Sequence, residues 1–345
     1  MEGPYPDPLL RQGLTMYYAG RHVLITGGLG FIGSNLARRL VALGAQVTLV
    51  DNLSTNGGGN LFNIQDIERD LRVDQVDIRD RAAMSGLLRN QEVLFNLAGQ
   101  TGHLASMKDP HNDLAVNADA QLSILESCRR FNSDIRIVYA STRQVYGRPD
   151  YLPIDEAHPA RPLDVNGICK IAGEGFHMLY HRVFGIHACV LRMTNTYGPG
   201  MRVKDAQQTF LGLWVRQAIE GDTIKVFGDG RQLRDLNYVD DVVEALVLAG
   251  ENPAAGGKTY NLGGNQVLSL DAIARQLTAL CPSACYELAP FPPELQNIDI
   301  GDYFGDFSAI GRDLHWAPRV RLDHGLRLTL EYYRAHGSLY LDAAS

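Results

Sequence analysis

Along most of the chain, short apolar runs alternate with longer stretches in which apolar residues recur every three or four positions. The runs at 23–26, 46–50, 71–76, 92–97, 135–140 and 186–192 are rich in Val, Ile and Leu and too short for helices, so they predict buried strands. Between them, 31–43, 81–88, 112–131 and 164–184 carry the helical period; Leu114, Ala118, Leu122 and Leu125 mark one face of the third. Strands alternating with helices predict an α/β fold, a doubly wound parallel sheet with helices on both faces. Past residue 194 the alternation loosens. Helices at 207–220, 240–249 and 270–280 are interspersed with short strands near 223–227, 236–239 and 259–262, and helical patterns at 308–314 and 322–335 close the chain. This half predicts a smaller, partly interleaved domain over the carboxyl edge of the sheet. The expected division is a loose tail at 1–18, a nucleotide-binding domain at 19–193 plus about 236–262, and a substrate domain at about 194–235 and 263–345.

The turn after the first strand adds chemistry. Gly27, Gly30 and Gly33 are spaced G-x-x-G-x-x-G, and Phe31 and Ile32 begin the helix that follows. The first glycine allows a tight turn, the second lets a pyrophosphate approach the backbone, and the third lets helix and strand pack closely. The helix N-terminus offers free N–H groups to phosphates. The second strand ends in Asp51, roughly 20 residues on, where an acidic side chain binds both hydroxyls of an adenosine ribose. Asp51 would repel a 2′-phosphate, which favours NAD over NADP. Asn52, Ser54, Asp77, Ile78, Leu97 and Ala98 follow strand ends at the same edge and complete the expected cofactor set.

Bulk properties narrow the class. At 345 residues the chain can bury a large core, and its net charge of −7 argues against a nucleic-acid partner. No apolar run is long enough to span a bilayer. The first 18 residues hold three prolines, two acidic residues and no apolar core, unlike a signal peptide. Five scattered cysteines fit a reducing cytoplasm, and Cys281 with Cys285 lacks the second ligand pair of a metal site.

Nine ordered pieces together resemble the extended short-chain dehydrogenase/reductases, the nucleotide-sugar epimerases and dehydratases. Among them are Thr26 to Gly33, Val50-Asp51-Asn52-Leu53-Ser54, Asn96-Leu97-Ala98-Gly99, Ser141-Thr142-Arg143-Gln144-Val145-Tyr146-Gly147 and Tyr260-Asn261-Leu262-Gly263-Gly264. The resemblance covers about residues 21–333. It implies a Rossmann-type fold, tightly held NAD, a nucleotide-sugar substrate and a homodimer paired through helices near 112–131 and 164–184. It also implies oxidation of a sugar hydroxyl to a ketone, a second step, and return of the hydride. In this family a tyrosine four residues before a lysine takes the hydroxyl proton, the lysine binds the nicotinamide ribose, and a Ser/Thr shares the hydrogen bond. Thr142 and Lys170 match; Asn195 and Arg234 match the residues that hold the diphosphate.

The tyrosine does not match. Asn166 stands four residues before Lys170, and none of the five lysines has a tyrosine in that place. An asparagine can orient a hydroxyl but cannot accept its proton near neutral pH. The acceptor is left open among Lys170, Tyr146 and His103, the last in the loop after strand four; Thr142 can relay a proton, and Cys169 reads as packing. Where similar 4,6-dehydratases carry an Asp-Glu pair, this chain has Arg143-Gln144, which can do neither acid nor base work. Arg143 could pair with the carboxylate of a uronic-type sugar or form a surface ion pair. Arg234 could instead bridge to Asp235. Three readings follow: a C4 epimerase acting through a 4-keto sugar, a dehydratase or decarboxylase with an atypical base, and a sensor that binds without redox chemistry.

Overall fold

The computed structural model describes residues 16–54, 57–206 and 208–341. Seven parallel strands form the central sheet: β1 (His22–Thr26), β2 (Gln46–Asp51), β3 (Leu71–Gln75), β4 (Val93–Asn96), β5 (Arg136–Thr142), β6 (His187–Met193) and, after an excursion, β10 (Thr259–Asn261). Their order is β10-β6-β5-β4-β1-β2-β3. Every pairing in it is parallel. The order reverses between β1 and β4, the switch point at which open α/β sheets bind ligands.

Both faces of the sheet are buried. Val23 and Ile25 of β1 enter one core with Leu49, Phe95 and Val138, while Leu24 enters the opposite core with Val50, Leu94 and Ile137. Period-two alternation therefore reads as a continuous apolar run, as expected of a parallel sheet covered on both sides. The helices that cover it include Phe31–Ala42, Ala120–Phe131, Val165–Phe184 and Val239–Glu251. Two smaller sheets lie outside: β11 (Val267–Ser269), β9 (Leu233–Tyr238) and β7 (Asn195–Tyr197) in one, β12 (Cys285–Ala289) and β8 (Thr223–Phe227) in the other.

Some expectations need correction. Of the loose tail, residues 1–15 lie outside the described residues, but Tyr18 is fully buried and its hydroxyl donates to the Val247 carbonyl at 2.8 Å. An apolar ring with a polar tip anchors the chain there. The helix expected at 112–131 begins earlier, at Pro110, with the Asp109 side chain accepting from the Asn112 N–H, and has a wide turn over Ala115–Asp119. The helix expected from Gln207, itself outside the described residues, runs Phe210–Glu220 with Thr209 as its cap. The helix His103–Lys108 is too short to show a periodicity. No helix among the described residues is long and apolar enough to cross a membrane.

Candidate active site

The glycine turn closes on itself as the spacing requires. Gly27 has φ +68°, and its N–H donates to the Val50 carbonyl at 2.8 Å. A Cβ on Gly33 would lie 2.2 Å from the Gly27 carbonyl oxygen, and one on Gly27 3.1 Å from the Ala98 backbone. The helix Phe31–Ala42 starts with no side-chain cap, so its first N–H groups face the cleft unclaimed by side chains. Thr26 Oγ1 accepts from the N–H groups of Leu97 and Ala98, both at 3.1 Å, which ties β1 to β4 at the switch point.

A cleft of about 210 Å³ opens there, and the eleven residues expected to hold the cofactor ahead of Lys170, from Gly27 to Ala98, all line it. Asp51 accepts from the N–H groups of Leu29 (3.1 Å) and Leu53 (2.9 Å); burial pushes its carboxyl up against these bonds. Asp77 is held well below the usual carboxylate range by Arg79, with a further bond from Asn52 at 2.8 Å. Arg79, Gln100 and Asn112 also line the cleft; no strand-end or glycine pattern singled them out.

Lys170 sits in the helix Val165–Phe184, under the end of β5. Its Nζ donates to the Ala140 carbonyl at 3.0 Å and lies 4.9 Å from the centre of the Tyr139 ring. Burial lowers it to about 8, against the opposing pull of Asp113 and Glu174. One turn earlier, Asn166 is buried. Its Nδ2 donates to the Gln100 carbonyl at 2.8 Å and to Asp113 Oδ2 at 3.1 Å. Asp113, fully buried, also accepts from Asn117 at 3.0 Å. The Asn166 amide is thus held by a carboxylate 53 positions away.

A polar cluster stands at the N-terminal cap of the same helix. Asp164 caps the helix, its Oδ1 accepting from the Gly167 N–H at 2.7 Å, and its Oδ2 meets His103 Nδ1 at 2.7 Å. Burial pushes the Asp164 carboxyl up, but the hydrogen bond and charge of His103, the Gly167 N–H and Arg143 outweigh it and hold it below its ordinary range. Gln144 Nε2 lies 2.6 Å from His103 Nε2 and 2.9 Å from its Nδ1, over the ring, while Gln144 Oε1 is buried without a partner among the described residues. Thr142, at the end of β5, accepts from the Gln144 N–H at 3.3 Å. Gln144, Asp164 and Asn166 are buried, whereas the His103 side chain keeps 38% of its surface open to solvent.

Three expectations are corrected here. Tyr146 does not face the cleft as a base: it is fully buried, donates to Asn261 Oδ1 at 2.6 Å, accepts from Arg192 at 2.7 Å, and burial pushes its phenol up to about 12. Arg143 is not on the surface. It is buried over the Tyr303 ring, its Nη1 has no hydrogen-bond partner, and it forms no salt bridge among the described residues. Arg234 does not bridge to Asp235, whose carboxylate is taken by Thr194 and the Gly305 N–H; Arg234 donates to the Leu233 and Gly301 carbonyls, each at 2.7 Å. Asn195 Oδ1 is buried with no partner. Cys169 is buried and its thiol is pushed up to about 12 by burial and Asp113, consistent with packing.

Comparison with known proteins gives the family. A sequence model of the NAD dependent epimerase/dehydratase family matches residues 23–263. The chain is 32% identical over 316 residues to a UDP-glucose 4-epimerase of Mycolicibacterium smegmatis, covering 90% of this chain and 98% of that one. It is 30% identical over 328 residues to a dTDP-glucose 4,6-dehydratase of an Actinoplanes species, covering 92% and 98%. Among solved structures, the UDP-glucuronic acid 4-epimerase of Bacillus cereus, in complex with UDP-glucuronic acid and NAD, superposes with a TM-score of 0.81 at 28% identity over 91% of this chain and 99% of that one.

Proposed function

The chain belongs to the NAD-dependent epimerase/dehydratase family of enzymes, and from that premise we propose that it inverts C4 of a nucleotide-linked sugar through a transient 4-keto sugar, with His103 as the proton acceptor. The observation that carries the proposal is the 2.7 Å hydrogen bond between His103 Nδ1 and Asp164 Oδ2 beside Asn166. NAD, when bound, would supply the hydride acceptor and donor that the inversion needs.

The chain's own residues do the rest. The uncapped turn at Gly27–Gly33, with Asp51, holds the adenosine end and pyrophosphate, a place where a Cβ has no room. Lys170 holds the nicotinamide end. Asp164 accepts the Nδ1–H of His103, which fixes the tautomer with its lone pair on Nε2 and stabilises the imidazolium formed when that nitrogen takes the sugar hydroxyl proton. The Nδ2 of Asn166 is committed to Gln100 and Asp113, which leaves Oδ1 to accept from and orient the hydroxyl. Arg143 and Gln144, standing where a dehydratase needs two carboxyl groups, weigh against elimination of water.

The test is incubation with UDP- and dTDP-linked sugars in deuterated water, followed by NMR. C4-inverted product free of solvent deuterium is expected; loss of water, or deuterium at C3 or C5, would contradict C4 epimerisation. The reading includes a homodimer: Ile168, Val183 and Phe184 of the helix Val165–Phe184, and Leu114 and Phe131 near the neighbouring helix, are exposed apolar residues. A monomeric mass in solution would refute it.

A further inference from the structure

Two buried arginines flank Tyr303, and neither forms a salt bridge among the described residues. Arg234 forms a backbone bridge to Tyr303, and the Arg143 guanidinium lies 5.1 Å from the centre of the Tyr303 ring. Arg143 and Arg234 retain only 8% and 7% of their surface. Burial lowers both, and Arg143 is a second cause of the lowering of Arg234 to about 9. The carboxylates that act on Arg143 are all engaged elsewhere: Asp164 by His103 and Gly167, Asp235 by Thr194 and Gly305, Asp299 by Gln232. Arg234 spends its hydrogens on two carbonyls and Gln232. Among the described residues Arg143 Nη1 has no hydrogen-bond partner, and the buried Tyr303 hydroxyl has none either.

An unpaired buried charge is costly, and a site that keeps one is matched to a ligand of opposite sign. The diphosphate, assigned to Arg234 and Asn195 by the family resemblance, accounts for one cation. Arg143 directly follows Thr142, which by the family resemblance meets the sugar hydroxyl, and precedes the Gln144 that touches His103.

We propose that Arg143 is the receptor for a carboxylate on the sugar ring, so that the substrate class is a nucleotide-linked uronic sugar rather than a neutral hexose. The inference rests on the nucleotide-sugar reading above. A guanidinium offers two parallel N–H donors to a carboxylate. A neutral sugar leaves the Arg143 donors unpaired, and a site built for a polar group discriminates strongly against the analogue that lacks it. The ion pair also holds the carboxylate in its ionised form through the reaction, so it is a recognition element and is neither formed nor broken.

The experiment is calorimetric titration of the NAD-loaded protein with UDP- and dTDP-linked glucose and glucuronate, for wild type, Arg143→Met and Arg143→Lys. Wild type is expected to bind the glucuronate form at least ~10-fold more tightly than the glucose form; Arg143→Met loses that preference and Arg143→Lys keeps part of it. Equal affinity for the two forms in wild type, or a preference that survives in a folded Arg143→Met, would overturn the inference and leave the epimerase reading standing. The wild-type comparison decides even if a variant does not fold. Binding of neither form would overturn both readings.

Discussion

His103 Nδ1 and Asp164 Oδ2 are 2.7 Å apart, although 61 positions separate them in the chain. The histidine begins a six-residue helix after β4 and the aspartate caps the long helix after β5. The two loops meet over the carboxyl edge of the sheet, at the end of the helix that carries Asn166. Asp164 has two tasks, capping the helix and fixing the imidazole.

Those tasks separate by substitution. Asp164→Asn keeps an N-cap acceptor and so costs little stability, but it no longer stabilises the imidazolium. Turnover is expected to fall about 10²-fold or more with the melting temperature nearly unchanged. Paired kcat and thermal-melt measurements check this, and equal losses in both would assign Asp164 a structural role alone.

Lys170 yields a pH dependence of stability. Burial lowers it in the folded protein to about 8 from its ordinary 10.5. Below about pH 8 both states are protonated and the folded state bears the cost of a buried ammonium. Between about 8 and 10.5 the unfolded state holds a proton that the folded state has released, so stability rises with pH. Relative to Lys170→Met, wild type should gain up to about 3 kcal/mol across that window. Denaturant titrations of the two proteins at matched pH values measure it; a flat difference would show that the amine is not desolvated.

Gly33→Ala should disrupt the cofactor turn. The added Cβ would lie 2.2 Å from a backbone oxygen, so strand and helix must part. The expected cost is about 1–3 kcal/mol of stability together with loss of copurified NAD. Retention of both would mean the turn is looser than its geometry indicates.

Tyr146→Phe distinguishes a buried structural phenol from a base. The hydroxyl links Asn261 to Arg192, and its loss leaves two polar groups unsatisfied. Stability should drop by about 1–3 kcal/mol while kcat changes little. A collapse of kcat in a folded variant would reinstate Tyr146 in the chemistry.

Much of the skeleton was legible in the sequence because it depends on local signals. Val- and Ile-rich runs such as 23–25 can only be buried strands between periodic helices, and Gly27, Gly30 and Gly33 announce their turn by spacing. The side chains around Asn166 were less legible, because their partners are remote: Asp113 lies 53 positions from Asn166, and Gln144 41 from His103. Arg143 reads as a surface charge from its type, and only the Tyr303 ring, supplied by a segment 160 residues later, buries it. Tyr146 looked like a substitute for the absent phenol because residue type carries no information about Asn261 and Arg192.

The central claim is that His103 does the work of the absent tyrosine, and the most direct measurement is the rate of C4 inversion by wild type, His103→Gln and the double variant His103→Gln/Asn166→Tyr at equal NAD occupancy. The account predicts a loss of about 10²–10⁴-fold in His103→Gln, with part of the rate restored when the phenol is returned four residues before Lys170. A His103→Gln enzyme that inverts C4 at the wild-type rate would contradict it.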